Sequence, residues 1–312
     1  MNELDRLEAM QMLLSAVDNG SLSAASRQLK IPASTLARKV ADLEELVGTH
    51  LLIRTTRKLT LTDAGIAYVE SARRILQMVR DQERSAAGEF TAPRGELVIT
   101  APVQLGRIHV LPVVNRFLAD YPEITVRLLL SDRNIDLIDA HADLAVRIGE
   151  LPDSSMIATR VGALRPVVCA SPDFLSGLGP LTHPEQLAQY PSVVFNSPYL
   201  SPWRFRVPSK ASVLTLNVAP RLEVTTPDAA VSAAVDGVGI TYVFEHDADE
   251  AIANNQIKVL LPEFEIAPVP VHLVHVSRNL MAVKLRHFLD FATPRLRQSL
   301  SRFGKPQGYR HS

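Results

Sequence analysis

The sequence predicts an α/β protein: an all-α N-terminal head with a β-ribbon, a long linker helix, and a two-lobed α/β domain. Apolar residues recur at helical spacing through the first 60 residues, and residues 61–88 continue as one long helical stretch. Further on, short β-like runs alternate with helical runs, which favours a largely parallel sheet. We therefore divide the chain into 1–60, 61–88 and 92–296, and interpret 297–312 as a frayed tail.

Composition and charge narrow the class of protein. The 312 residues include 33 basic and 33 acidic side chains, so a surface that attracts nucleic acid has to be a local patch. The single cysteine, Cys169, lies in an apolar run and is interpreted as a buried residue rather than a reactive thiol. No run reaches the roughly 18 apolar residues of a membrane span, and no apolar signal core follows Met1. These features predict a cytoplasmic protein without membrane association.

Two short helices begin the predicted head. The pair Asn19-Gly20 is typical of a left-handed helix end, so the first helix stops there. Ser23 is predicted to cap a second helix, whose small alanines permit a close crossing. Pro32 disfavours helical backbone in the residue before it, which predicts a turn. The apolar face of the first helix comprises Leu7, Met10, Leu14 and Val17.

The third predicted helix, over 33–47, has one apolar and one polar face. At about 100° per residue, Ser34 and Arg38 lie opposite the apolar face, and Thr35 and Lys39 flank them. A helix that meets base edges with its N-terminal residues needs basic and hydroxyl side chains there. The inward face comprises Leu36, Val40, Leu43 and Val47, and the acidic residues of the exposed second half are Asp42, Glu44 and Glu45.

A basic β-ribbon is predicted after the third helix, over 51–62. Its tip carries Arg54, Arg57 and Lys58, which suit contact with phosphate or with the minor groove. The window 27–58 holds seven lysines and arginines and three acidic residues, so its net charge is +4. Spacing alone leaves a second interpretation open, in which these charges are ordinary solvated surface.

The long helix over 61–88 carries two apolar stripes. Thr62 is predicted to cap it, and Asp63 is well placed against the positive end of the helix dipole. Two stripes indicate burial on more than one side, and packing against its own domain is one way to achieve this. The first stripe comprises Ile66, Val69, Ala72, Leu76 and Val79, and the second comprises Tyr68 and Ile75.

The remaining sequence predicts two lobes, and the chain passes from one lobe to the other twice. Lobe I comprises 92–161 and 267–296, and lobe II comprises 162–266. Two crossings imply a hinge and a cleft, as in a periplasmic binding protein. Strands are predicted over 95–100, 124–131, 143–149, 167–171, 192–195, 239–244 and 271–276, with helices through Leu111 to Leu118 and near 280–293.

Ligands of open α/β sheets bind beyond the carboxyl ends of strands and at helix N-termini. Free backbone amides and hydroxyls there would suit a carboxylate or another polar head group. For any one of these residues, ordinary turn or cap duty remains an equal alternative. The candidates are Thr100, Ala101, Pro102, Val103, Gln104 and Ser131 in lobe I, and Phe195, Asn196, Thr225, Thr226 and Gly239 in lobe II.

The sequence gives little indication of an enzyme. His272 and His275 lie three apart in a predicted strand, so they point to opposite faces and do not predict a metal site. The pair Gly237 and Gly239 is too short for a dinucleotide fingerprint, and no Gly-x-Ser-x-Gly elbow occurs. Two alternatives stay open on the residues alone. One is a binding protein or enzyme whose N-terminal helices serve assembly, and the other is a sheet-based enzyme acting on small acids.

Three patches of the head resemble the N-terminal signature of LysR-type transcriptional regulators, which implies a winged helix-turn-helix. They are the run GSLSAASRQL from Gly20, the pair Leu43-Glu44, and the run RTTRKLTLTDAG from Arg54. Their order and spacing match the family. The chain departs from it at Pro32-Ala33, Ala37 and Leu52-Ile53, which affects the bases or phosphates that are contacted rather than the fold.

The C-terminal part resembles one branch of the LysR-type sensing domain, of the type 2 periplasmic-binding-protein fold. The resemblance lies in the run DLAVRIGELPDSS from Asp143 and in Ala101-Pro102-Val103 followed by Leu111-Pro112. It implies a regulator rather than an enzyme, with a small-molecule effector between the lobes and with no cofactor, metal or catalytic residue.

The resemblance also implies the partners. It predicts a homodimer or homotetramer, joined by the long helix as in a coiled coil, on a partly palindromic operator in double-stranded DNA. RNA polymerase is a further partner if the protein activates transcription. DNA contacts are predicted for Ser23, Arg27, Ser34, Thr35, Arg38, Lys39, Arg54, Thr55, Arg57 and Lys58.

Overall fold

The structure is a computed structural model that divides the chain into two units, residues 1–91 and 92–312. It describes residues 3–54, 59–86, 93–133, 137, 140–151, 156–207, 212–276 and 281–304. Within these ranges, no helix combines the length and the apolar character that crossing a membrane would require.

The first unit is the predicted helical head, and its three helices, its ribbon and its long helix are confirmed. Gly20 ends the first helix with a φ of 70°, and Gly48 ends the third with a φ of 74°. The elements are α1 (Glu3–Asp18), α2 (Leu22–Leu29), α3 (Ala33–Val47), the antiparallel strands β1 (Leu52–Arg54) and β2 (Leu59–Leu61), and α4 (Asp63–Ala86).

The cap of α2 differs from the prediction. The Ala24 N–H donates to the Ser21 hydroxyl (3.1 Å), so the N-cap is Ser21 and not Ser23. Ser21 has the extended backbone that an N-cap requires, and the helix therefore starts two residues earlier than expected. Ser23 lies inside the first turn of α2, with its side chain exposed.

The inner face of α3 also differs at its C-terminal end. Leu36, Val40 and Leu43 are fully buried as predicted, but Val47 is 40% exposed and Glu44 is buried. The Glu44 carboxylate accepts from the backbone N–H groups of Leu51 (2.7 Å) and Leu52 (3.0 Å). A buried carboxylate is stable here because two donors satisfy it, and it attaches the start of the ribbon to α3.

One stripe of α4 packs into the head. Val69, Ala72 and Leu76 belong to the same apolar core as α1 and α3. At Gly65, an added Cβ would lie 2.0 Å from the Leu51 carbonyl oxygen, so only glycine permits this approach of α4 to the ribbon. The apolar side chains that α4 leaves exposed are Ile66, Ile75 and Met78.

The second unit begins with lobe I. The three predicted strands and the helix of lobe I are confirmed. A further strand runs through Leu164 and so extends past the predicted lobe boundary at residue 161. The elements are β3 (Gly95–Ala101), α5 (Val103–Leu105) with a π-turn over Gly106–Val110, α6 (Leu111–Asp120), β4 (Ile124–Leu130), β5 (Leu144–Ile148) and β6 (Met156–Leu164).

Lobe II follows, and it contains more strands than were predicted. Besides the expected runs it has a two-stranded hairpin and two further edge strands that were not predicted. The elements are β7 (Pro166–Ala170), α7 (Pro172–Ser176), β8 (Ser192–Phe195), β9 (Trp203–Val207), β10 (Ser212–Leu216), β11 (Pro220–Val224), α8 (Pro227–Val235), β12 (Ile240–Phe244), α9 (Glu245–Ala253) and β13 (Lys258–Leu260).

The chain returns to lobe I through β14 (Val269–Val276) and α10 (Val283–Leu300). The sheet orders are β4-β3-β5-β14-β6 in lobe I and β11-β8-β12-β7-β13 in lobe II. In each sheet two of the four pairings are antiparallel, so the prediction of a largely parallel sheet is wrong. In each sheet one strand runs against the other four, and it is the first strand after a crossing: β14 in lobe I and β7 in lobe II.

The predicted tail is partly ordered. The last helix continues past Arg297 to Leu300, and Phe303 beyond it is buried. An added Cβ at Gly162 would lie 2.6 Å from the Leu300 side chain, so α10 packs closely on β6. Residues 297–304 therefore belong to the domain, and the rest of the predicted tail lies outside the described residues.

Candidate functional site

The N-terminal half of α3 presents a polar face to solvent. Ser34 and Arg38 are exposed and Thr35 is half-buried, on the side away from the fully buried Leu36 and Val40. Pro32 precedes the helix with extended backbone and leaves the first turn without a side-chain cap. Arg38 makes no hydrogen bond or ion pair within the described part of the chain. This face can therefore accept a partner that supplies hydrogen-bond acceptors.

Lys39 is placed differently from the other α3 candidates. Its ammonium lies 3.1 Å from Asp5 Oδ1 and 2.9 Å from Glu8 Oε2, both on α1. Hydrogen bonds with Glu8 and then Asp5 raise the pKa of Lys39. The side chain is only 19% exposed. Lys39 thus joins α3 to α1, and a DNA contact would have to compete with two carboxylates.

The remaining head candidates lie beside α3 or beyond what can be described. Ser23 and Arg27 are exposed on α2, the helix that precedes the α3 turn. Arg54 ends β1, but its side chain is not described. The predicted contacts Thr55, Arg57 and Lys58 lie outside the described residues.

The two lobes of the second unit meet at the carboxyl edges of their parallel strands, and we call the region between these edges the cleft. Strands β3, β4 and β5 are parallel, so their carboxyl ends share one edge of the lobe I sheet. Strands β8, β11 and β12 are likewise parallel in lobe II. A Cβ added at Gly149, just after β5, would lie 4.0 Å from the Tyr199 ring of lobe II. The two edges therefore approach each other across the cleft.

The predicted lobe I residues lie at this edge, but several already have partners. The Val103 N–H donates to Asp132 Oδ1 (3.1 Å). Gln104 is buried and accepts from Arg107 Nε (2.7 Å), and the Ser131 hydroxyl accepts from the Arg133 N–H (3.2 Å). Thr100, Ala101 and Pro102 are buried at the end of β3. The amide expected to receive an anion is thus occupied by a carboxylate.

In lobe II the candidates divide. Asn196 is exposed and donates to Glu223 (3.4 Å), while Phe195 is part of the buried core. Thr225 and Thr226 precede α8, and the Thr226 hydroxyl makes no cap hydrogen bond. Gly239 was wrongly placed in the cleft: it precedes β12, and an added Cβ would lie 2.4 Å from the Pro191 oxygen at the opposite edge.

Four polar residues that follow the carboxyl ends of strands were missed. Asp132 follows Ser131 directly, Asp228 lies in the first turn of α8, and Asp247 lies in the first turn of α9. Burial and then Asp228 raise the pKa of Asp132, and burial raises the pKa of Asp247 well above its usual range. Burial also raises the pKa of Tyr199. The signal available in the sequence was the strand-end position of the three aspartates.

An ion triad joins the two crossings between the lobes. Arg165, in the first crossing, pairs with Glu245 (Nη2–Oε1, 2.7 Å) and with Glu265 of the second crossing (Nη1–Oε2, 3.1 Å). The Glu245 N–H also donates to the Arg165 carbonyl (2.9 Å). Desolvation raises the pKa of Glu265 to about 7. One buried guanidinium therefore bonds both crossings at the place where the sequence predicts a hinge.

A second contact between the lobes is made by two histidines. The rings of His109 (lobe I) and His246 (lobe II) lie 5.3 Å apart, and Phe303 contacts both. His109 Nδ1 lies 2.7 Å from the Ser299 hydroxyl. Burial lowers the pKa of His109 to about 4 and that of His246 to about 3, so both are neutral at pH 7. Within the described ranges, no cluster of metal-ligating side chains occurs, around these rings or elsewhere.

The comparisons with known proteins cover nearly the whole chain. Residues 7–66 match the bacterial regulatory helix-turn-helix protein, lysR family, and residues 91–297 match the LysR substrate binding domain. An HTH-type transcriptional regulator of Xanthomonas campestris is 32% identical over 91% of this chain and 84% of its own length.

Two solved full-length structures are also similar. CrgA, a LysR-type regulator of Neisseria meningitidis, is 30% identical with a TM-score of 0.59, over 95% of this chain and 99% of its own. AphB, a Vibrio cholerae virulence activator, is 27% identical with a TM-score of 0.60, over 94% and 98%. Together with the α3 face and the cleft, these matches identify the chain as a member of the LysR family, a DNA-binding transcriptional regulator controlled by a small-molecule effector and not an enzyme.

Proposed function

We propose that the protein binds a partly palindromic operator as a homodimer or homotetramer, through the N-terminal half of α3. It acts in the bacterial cytoplasm, on the nucleoid, and contacts RNA polymerase if it activates transcription. The observation that carries the proposal is the exposed Arg38, which lies beside Ser34 and opposite the buried core of the head. Ser23 and Arg27 on α2, and the basic ribbon tip, supply contacts to the phosphate backbone.

Replacing Arg38 tests the DNA interface. If Arg38 contacts a base, Arg38→Ala weakens binding to the cognate operator by about 1–3 kcal/mol and relaxes specificity at one position. The measurement is a mobility-shift titration on the operator and on a scrambled duplex, at two salt concentrations. Arg286→Ala, an exposed arginine on α10, is the matched control. An equal loss on both duplexes would make Arg38 a phosphate contact, and no loss on either would contradict the proposed interface.

The oligomer is proposed to form along α4. Ile75 and Met78, three residues apart on one side of α4, remain exposed although Val69, Ala72 and Leu76 are buried in the head. Exposed apolar side chains that recur on a 24-residue helix suit packing against a second copy of that helix. Ile75→Glu is expected to lower the mass measured by light scattering from that of a dimer or tetramer. Glu70→Gln, at an exposed polar position of α4, should leave the mass unchanged.

Effector control is proposed to act through the cleft. Ligand binding between the lobes changes their separation, and the buried triad around Arg165 is where both crossings must bend. A ligand can shift the DNA affinity only by as much as it prefers one arrangement of the lobes. Mobility-shift titrations with and without metabolite extracts test this, and an operator affinity that no extract alters would contradict effector control.

A further inference from the structure

A cavity of about 300 Å³ lies on lobe I, away from the strand ends. One wall comes from the π-turn and the start of α6, and the other comes from the last two turns of α10. None of the residues that line it directly follows the carboxyl end of a strand, so this α6–α10 cavity is separate from the cleft. Its volume is at the lower end of the range for small-molecule sites.

The lining of the α6–α10 cavity is positively charged. Arg116 of α6 and Arg295 of α10 line it from its two walls, and none of the described residues around it is acidic. Each of these two helices carries one aspartate, Asp120 or Asp290, and within the described part of the chain neither forms an ion pair with these arginines. Two guanidinium groups without a carboxylate partner favour an anionic ligand.

Both guanidinium groups retain donors that a ligand can use. Arg116 is exposed and makes no hydrogen bond or ion pair in the described ranges. Arg295 is half-buried, its Nη1 donates to the Phe291 carbonyl (2.8 Å), and its guanidinium carbon lies 3.6 Å from the centre of the Phe291 ring. A guanidinium has five N–H donors, so these contacts fix Arg295 in place without using up its hydrogen-bonding capacity.

His109 and Ser299 add a further donor to the same cavity. His109 Nδ1 lies 2.7 Å from the Ser299 hydroxyl, and its buried Nε2 has no partner among the described residues. Burial and then Arg302 lower the pKa of His109 to about 4, so at pH 7 only one of its ring nitrogens carries a proton. When that nitrogen is Nδ1, it donates to Ser299, and the hydroxyl proton is left for an acceptor in the cavity. Arg302 itself pairs with Asp249 (2.7 Å) and does not line the cavity.

We propose that the α6–α10 cavity binds a small organic carboxylate with an apolar body, as a second ligand site separate from the cleft. Arg116 and Arg295 hold the carboxylate, which accepts paired hydrogen bonds from a guanidinium, and Ser299 donates to it. The apolar body packs on Pro112 and Val113, which also line the cavity. An inorganic anion would leave this apolar surface unused.

The test compares carboxylates with neutral and inorganic analogues on the full-length protein. The probes are hexanoate with hexanamide, phenylacetate with phenylacetamide, and phosphate, all at equal ionic strength and neutral pH. At about 100 times its Kd, at least one carboxylate is expected to raise the thermal midpoint by about 5–10 °C. If no carboxylate shifts the midpoint, or if an amide or phosphate binds as tightly as the carboxylates, the proposal is overturned.

Variants assign the binding to the α6–α10 cavity. Arg116→Gln removes an exposed guanidinium without a partner, so this variant should fold, and Arg295→Gln tests the opposite wall. Each is expected to weaken carboxylate binding about tenfold or more in calorimetric titrations. Two controls should bind like the parent: Arg286→Gln, at an exposed position of α10 outside the cavity, and Ser131→Ala, at the cleft. Unchanged affinity in both cavity variants, or a loss confined to Ser131→Ala, would refute the proposal.

Discussion

Removing the hinge guanidinium should destabilise the α/β unit strongly. Arg165 is 2% exposed, and it makes two hydrogen bonds to Glu245 (2.7 and 3.1 Å) and two to Glu265 (both 3.1 Å). Arg165→Met keeps the volume of the side chain but leaves two carboxylates buried without their partner. The variant therefore still bears the cost of burying the two carboxylates, but it lacks the ion pairs with Arg165 that offset this cost.

The magnitude follows from buried ion pairs. Breaking such a pair by removing one partner costs about 3–5 kcal/mol. For a unit of the size of Ala92–Ser312, each kcal/mol lowers the thermal midpoint by about 2–4 °C, so the expected drop is about 6–20 °C. The lower half of this range applies if the carboxylates take up protons, since neutral carboxyls tolerate burial better.

Scanning calorimetry at pH 7 measures this shift. Arg206→Met is the matched control, because Arg206 is exposed and makes one hydrogen bond, to the Glu263 carbonyl (3.2 Å). Its expected effect is within about 0.5 kcal/mol, as for most surface changes. The triple variant Arg165→Met, Glu245→Gln, Glu265→Gln should recover much of the lost stability. An Arg165→Met midpoint equal to that of the control would refute the reasoning.

Three further predictions concern buried titratable groups. Because the pKa of Glu265 is raised to about 7, its protonation stabilises the folded state, and the free energy of unfolding falls as pH rises from about 4.5 to 7. Glu265→Gln should flatten that part of a stability–pH curve. The lowered pKa values of His109 and His246 act oppositely, so their contribution is complete above about pH 6.5 and is lost as pH falls towards 3–4. His246→Phe should reduce this acid sensitivity in thermal melts, and an unchanged slope would count against it. Glu44→Ala should destabilise the head by about 1–3 kcal/mol in urea unfolding, because two buried amide donors lose their acceptor, whereas Glu45→Ala should be nearly neutral.

The helices of the head and most strands of the two sheets followed from periodicity, because their burial is one-sided or complete. Leu36, Val40 and Leu43 are an example, since a repeat of three and four residues has one solution on a helix. The same rule wrongly placed Val47 on the buried face. Glu44 is buried instead, because its carboxylate accepts from a backbone N–H group of the following segment, and periodicity does not encode such a contact. Strands β10 and β11 were missed because their residues are mostly exposed, so their apolar side chains do not form a buried run.

The cleft could be located from the sequence, but its chemistry could not. Ligand-site rules pointed to the carboxyl ends of strands and so led to Val103 and Ser131, which lie just after β3 and β4. They did not reveal that Asp132 turns back to accept the Val103 amide, which depends on how two neighbouring loops meet. Gly239 was misjudged because glycine suits both a ligand approach and a tight backbone crossing, and only the Pro191 contact distinguishes them.

The Gly65 crossing has a mechanical consequence. No other residue fits beneath the Leu51 carbonyl, and Glu44 attaches the same segment to α3, so the N-terminal end of α4 cannot turn independently of α3. At 1.5 Å per residue, α4 extends about 36 Å, so a tilt of about 5° displaces its far end by about 3 Å. A small displacement at that far end is accordingly passed to α3 as a change of angle, which turns the exposed polar face of α3 without any rearrangement inside the head.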